Sequence, residues 1–314
     1  MGPSTQLIVV TGKGGVGKTV VAAALGRIMA ERGRRVLLLD ADSREGLHRL
    51  FGAPPSGGDV VSLTPRLSVL NSVPRTILDR EVAHALRVRA LSNRVLASPV
   101  YQHFADGAPG LKEMMLLGYA LKVAEGDAKP KADLVIIDAP ASGHGLTLLA
   151  APLLMSEVIA TGPLGKMASR IAALVRDPAR CAIVLPTLAE EMAVQETLET
   201  IAAIERRLGR GPSMVVVNAV YPPRGDGAEP GTSAPVTREE ALEVAATLAF
   251  WTTRRRLNER EIARLRDGWR GPTAQVPLVA ADFGPELLSA VADSLAPQLE
   301  LAGDAAPKQR KRRA

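Results

Sequence analysis

Short apolar runs alternate with longer stretches of helical spacing along most of the chain. The runs are Leu7 to Val10, Val36 to Leu39, Leu67 to Leu70, Leu134 to Ile137, Ala182 to Leu185 and Met214 to Val217. Apart from Ser68 in the third run, each is apolar instead of alternating, as strands covered on both faces are. Helices are predicted between most of them: the Ala-rich Val20 to Ala30, Arg75 to Leu96, Leu111 to Glu125, Leu153 to Val175, and the long stretch Thr237 to Trp269. Strands separated by helices imply an α/β fold with a doubly wound, mainly parallel sheet, which binds ligands at the carboxyl ends of its strands. The pattern is read as one domain over residues 1–302, with helical insertions around 74–126 and 153–176. Within Leu111 to Leu121 the apolar residues exceed one helical stripe. That breadth suits a deeply buried helix, the commoner fate of such residues, or a methionine-rich groove around Met114 and Met115 that accepts varied apolar segments.

Composition narrows the setting. A single cysteine, Cys181, in 314 residues excludes a disulfide framework and suits a reducing compartment. Met1 to Gln6 has no charged region followed by an apolar stretch, so no signal peptide is expected. No apolar run approaches the roughly 20 residues that span a bilayer. A cytoplasmic protein is expected, with the membrane periphery as an alternative. Of the net charge of +6, five come from Lys308, Arg310, Lys311, Arg312 and Arg313, so the body is close to neutral. Residues 303–314 read as a basic disordered tail. Such a tail attracts anionic lipid, by about 1 kcal/mol per basic residue, or nucleic acid without sequence preference. No nucleic-acid partner is expected beyond that nonspecific attraction.

The chemistry begins at Gly12 to Thr19, Gly-Lys-Gly-Gly-Val-Gly-Lys-Thr, between a predicted strand and a predicted helix. This is a phosphate cradle, G-x-x-x-x-G-K-T, in the strand-loop-helix setting that confirms it. Gly12, Lys13, Gly14, Gly15, Val16, Gly17, Lys18 and Thr19 are thus candidate nucleotide-binding residues. Backbone N–H groups of the loop converge on one point, and the helix adds its positive end there. Lys18 would reach the β- and γ-phosphates and the Thr19 hydroxyl would ligate Mg²⁺. Leu134 to Asp138 is a Walker B pattern, in which a buried strand presents Asp138 to the Mg²⁺ shell, directly or through water. Asp40 and Asp42 follow the second apolar run, and of the two Asp42 is the better candidate for orienting an attacking water. Ala139 to Gly145 is small and flexible, suited to a switch that responds to the γ-phosphate.

Lys13 makes the loop resemble the deviant Walker A of the MinD, ParA, nitrogenase-iron-protein and arsenite-pump ATPases, in which that lysine reaches across a dimer to the partner's nucleotide. Asp42 to Gly52 resembles switch I of the arsenite-pump and tail-anchored-protein-targeting ATPases through Asp42, Leu47, Phe51 and Gly52. Asp138 to Leu146 resembles their switch II through Pro140, Gly143 and His144. Asp177-Pro178, Glu191 and Glu196-Thr197 resemble a further stretch of the family, and Asn218 matches the asparagine that contacts the adenine. The resemblance implies a P-loop ATPase using ATP and Mg²⁺, with Lys13, Lys18 and Asp42 catalytic and Asp42, Pro140, Gly143 and His144 in the switches. It implies a homodimer, or a heterodimer with a related ATPase, that opens and closes with nucleotide and alters a helical surface for a hydrophobic protein client or membrane protein.

Departures limit the transfer. Ser43-Arg44-Glu45 stands where the family has Pro-Ala-His, and the thiolate cluster that would hold a soft metalloid needs more than Cys181. Two other functions stay open: a ParA/MinD-like positioning ATPase that binds membrane or DNA surfaces, and the motor subunit of a metalloid or anion efflux pump.

Overall fold

All six apolar runs are strands, and burial on both faces explains why none of them alternates. The computed structural model describes residues 1–41, 46–55, 57–71, 74–86, 88–107, 110–139, 144–159, 161–223 and 237–304. In chain order the elements are β1 (Leu7–Val10), α1 (Lys18–Glu31), β2 (Val36–Asp40), α2 (Gly46–Leu50), β3 (Val60–Thr64), β4 (Leu67–Asn71), α3 (Pro74–Leu86), α4 (Arg89–Leu96), α5 (Pro99–Gly107), α6 (Leu111–Ala124) and β5 (Leu134–Asp138). They continue with α7 (His144–Val158), α8 (Gly162–Arg176), β6 (Cys181–Leu188), α9 (Glu191–Leu208), β7 (Met214–Val220), α10 (Arg238–Gly268), β8 (Thr273–Pro277) and α11 (Pro285–Asp304).

The eight strands form one sheet in the order β3-β4-β2-β5-β1-β6-β7-β8, parallel except for the β3–β4 pair. Successive residues of a strand point to opposite faces, and this alternation builds the two halves of the core. Leu7 and Val9 of β1 join the layer of α6, α7, α8 and α9, whereas Ile8 and Val10 join the layer of α1 and α11. The first strand lies at the centre between β5 and β6, so whatever follows it emerges in the middle of the carboxyl edge.

Two strands escape the apolar-run pattern. The edge strand β3 alternates between half-buried and exposed positions, and β8, at the opposite edge, alternates Ala274 and Val276 inward with polar neighbours. Edge strands need only one apolar face, so a search for continuous apolar runs passes over them. The predicted stretch Leu153 to Val175 falls on two helices, since α7 ends at Val158 and α8 begins at Gly162. The last helix runs to Asp304, beyond the expected start of the tail, and residues 305–314 lie outside the described residues. Thr237 closes a capping box with Glu240 that starts α10, a helix of 31 residues tied to the body by pairs such as Arg254–Glu190.

The apolar excess of Leu111 to Leu121 is core. Met114 is fully buried, Met115 nearly so, and α6 packs against α3, α7, α8 and β5. The alternative of a methionine-rich groove on this helix is therefore corrected: both thioethers face the interior. Met114→Ala is expected to destabilise the chain by about 2–5 kcal/mol, the range for emptying a well-packed core site, measured as a lowered midpoint of urea unfolding. Cys181 opens β6 fully buried, and burial pushes its thiol up to about 11. A disulfide reagent at about pH 8 should leave it unmodified in the native chain and titrate it after denaturation.

Candidate nucleotide site

At Val10 the chain leaves the sheet, and Thr11 N still donates to Val184 O of β6 at 3.1 Å. The next residues must turn their amides inward before α1 begins at Lys18. Gly17 makes the sharpest part of that turn, with φ of +89°, in the left-handed region that side chains rarely occupy. Space demands glycine there as well, since a Cβ would lie 2.1 Å from Asn218 Nδ2. Asn218 sits beneath the loop and donates from Nδ2 to Val16 O at 3.0 Å. Its position comes from a bulge: Val217 pairs with Gln275 and Val220 with Pro277, leaving Asn218 and Ala219 opposite one residue of β8. Ala219 takes φ of +53° to allow it. What the structure shows of Asn218 is support of the loop backbone.

The loop divides two cavities. On one side Gly15, Gly17, Lys18 and Thr19 line a space of about 340 Å³ together with Asp40 and Asp138. The carboxylates are brought together by strand register, because Asp40 of β2 lies beside Asp138 of β5, which in turn pairs with Val10 of β1. Both are buried. A hydroxyl and two carboxylates at one cavity wall are hard oxygen donors, the set that Mg²⁺ prefers, so these residues fit the expected ion. Lys18 is buried, and its Nζ donates to Lys13 O at 2.7 Å. The ammonium is thus folded into its own loop.

On the other side, Gly12, Lys13 and Gly14 line a cavity of about 470 Å³ with Glu196 and Thr200 of α9. Lys13 is turned toward α9 and pairs with Glu196 Oε1 at 2.5 Å, both side chains being well exposed at 45% and 37%. The neighbouring Thr197 is buried and holds α9 to the sheet, hydrogen-bonding Ala193 O at 2.7 Å and Thr187 Oγ1 of β6 at 2.9 Å. The Glu196-Thr197 pair singled out in the sequence therefore has two separate tasks.

Of the remaining expected residues, Asp42, Pro140 and Gly143 lie outside the described residues, and His144 is the first residue of α7. Asp40 has a larger part than the sequence reading allowed. Besides lining the Thr19 cavity, its Oδ2 accepts from Leu47 N at 3.3 Å and so pins the start of α2. Arg49 and Phe283 also line that cavity. No motif marked either one, and only the placement of α2 and of the segment before α11 brings them there.

The comparisons with known proteins agree with this geometry. A sequence model of the family described as Anion-transporting ATPase matches residues 5–174, more than half of the chain. ATPase BagA of Mycobacterium tuberculosis is 31% identical over 231 residues, covering 69% of this chain and 66% of that protein. ATPase ASNA1 homolog 2 of Paramecium tetraurelia is 26% identical over 156 residues, 49% of this chain and 46% of that protein. An arsenical pump-driving ATPase of Escherichia coli is 26% identical over 235 residues, 68% of this chain but 39% of that protein. The chain thus spans just under two thirds of the mycobacterial relative's length and well under half of the pump ATPase. With the phosphate loop, the paired strand-end carboxylates and the doubly wound sheet, these matches show that the chain belongs to the anion-transporting ATPase family and has its P-loop NTPase fold.

Proposed function

We propose that the chain is a Mg²⁺-dependent ATPase that works as a nucleotide-gated dimer, with itself or with a related chain, and that its cycle reshapes a surface for a hydrophobic protein client or a membrane component. The observation that carries this reading is the direction of Lys13. It points away from the cavity that its own loop forms with Thr19 and Asp138, and an exposed contact with Glu196 is what holds it. An exposed ion pair is worth about 0.2–1 kcal/mol. A positive group delivered to a transferring phosphoryl raises the rate by about 10³–10⁵, or roughly 4–7 kcal/mol. The first quantity is small enough for Lys13 to leave Glu196 when a partner's triphosphate is in reach, and the second is what the lysine would then contribute to the transition state.

In this mechanism Lys18 exchanges Lys13 O for the β- and γ-phosphate oxygens. Thr19 and Asp138 would hold Mg²⁺, which would supply charge neutralisation at the phosphates. Asp42 orients the attacking water, and Lys13 of one chain stabilises charge on the other chain's nucleotide. Binding of triphosphate closes the dimer and hydrolysis reopens it. No helix among the described residues is long and apolar enough to cross a membrane; we place the enzyme in the cytoplasm, meeting any membrane component at the surface. The Escherichia coli relative is named a pump-driving ATPase. For this chain a soft metalloid cargo is disfavoured, because Cys181 is its one cysteine and is buried at the start of β6.

Two measurements test the proposal. ATP turnover per chain is expected to fall on dilution, and Lys13→Ala to lower it by about 10³–10⁵ while nucleotide still binds; a dilution-independent rate with a silent Lys13→Ala would falsify the dimer. Glu196→Ala removes the contact that holds Lys13, so it is expected to lower the concentration for half-maximal turnover by no more than about fivefold, the equivalent of 1 kcal/mol.

A further inference from the structure

The short helix α2 carries a cation into the phosphate cavity. Its first residue rests on α1, where a Cβ on Gly46 would lie 3.1 Å from Thr19 Cγ2. Asp40 holds the Leu47 amide, and the fully buried Leu47 and Leu50 sink one side of the helix into the α1 and α11 layer. Arg49 lies on the remaining side and lines the same cavity as Lys18, Thr19 and Asp138. Its guanidinium lies 5.2 Å from the centroid of the Phe283 ring, which lines that cavity from the segment between β8 and α11. Among the described residues no carboxylate forms an ion pair with Arg49, although Asp40 and Asp138 share the cavity.

We propose that Arg49 is a phosphate-binding residue acting in cis, taking the terminal phosphate of a bound nucleoside triphosphate, with Phe283 as the platform that holds the guanidinium ready. This rests on the nucleotide reading above and adds a second positive group of different origin from Lys13. Arginine suits the task because its planar fork stays charged and meets two phosphate oxygens at once. An exposed cation–π contact is worth about 0.5–1 kcal/mol, too little to keep the guanidinium from a phosphate. The terminal phosphate is the one concerned, since α2, which carries Arg49, begins against Thr19, the residue that would hold Mg²⁺ at the outer phosphates.

The test is equilibrium binding of MgADP and of a Mg²⁺-bound non-hydrolysable ATP analogue to the full chain, wild type against Arg49→Ala and Arg49→Lys. Arg49 is exposed, so neither substitution threatens folding, and circular dichroism checks this. Loss of a charge-assisted contact predicts that Arg49→Ala binds the analogue about tenfold or more weakly, with ADP affinity unchanged and Arg49→Lys in between. Analogue binding equal to wild type, or equal losses for both nucleotides, overturns the assignment. A wild-type chain that binds neither nucleotide overturns the nucleotide reading itself.

Discussion

The structure turns on how closely the phosphate loop approaches the strand beneath it. Backbone amides converge on a single anion only if the chain reverses within a few residues, and at Gly17 that reversal leaves no space for a side chain against Asn218. The contact fixes three things together: the left-handed turn, the start of α1 at Lys18, and the height of the loop above the sheet. Support from below comes from one side of the central strand, through Val184 O of β6 and Asn218 of the next strand, β7. A loop held in this way presents its donors without reorganising when an anion arrives, which is where electrostatic stabilisation gains most.

Around that loop, charge is sorted by element. The strands to one side of β1 deliver acids, Asp138 and then Asp40, at neighbouring carboxyl ends. On the other side β6 leads into α9, which holds Glu196 beside Lys13. The strand-end acids and the acid beside Lys13 are therefore kept apart, because the loop itself separates their cavities.

Helix α2 lies across a further boundary. One side meets Thr19 and the phosphate cavity, while Leu50, followed by Phe51, helps to line a separate, mainly apolar cavity of about 510 Å³ with Leu67 and Leu288. Five residues pinned by one Asp40 hydrogen bond and two buried leucines form a rigid but lightly anchored piece.

The sequence alone determined the parts whose physics is local. Nearly continuous apolar runs named six strands because burial on both faces leaves almost no polar position in them, Ser68 being the exception, and Gly12 to Thr19 named the cradle because its glycines, lysine and threonine match the phosphate-loop pattern between a strand and a helix. It also ranked core above groove for Met114 and Met115, since wide apolar helices are usually interior. Tertiary structure decided what depends on distance between remote segments. The edge strands β3 and β8, the bulge that carries Asn218 to the loop, the partnership of Lys13 with Glu196 and the meeting of Arg49 with Phe283 are all contacts between residues far apart in the chain. No periodicity encodes such contacts; strand order and helix placement bring them about, and these follow from packing the whole core at once.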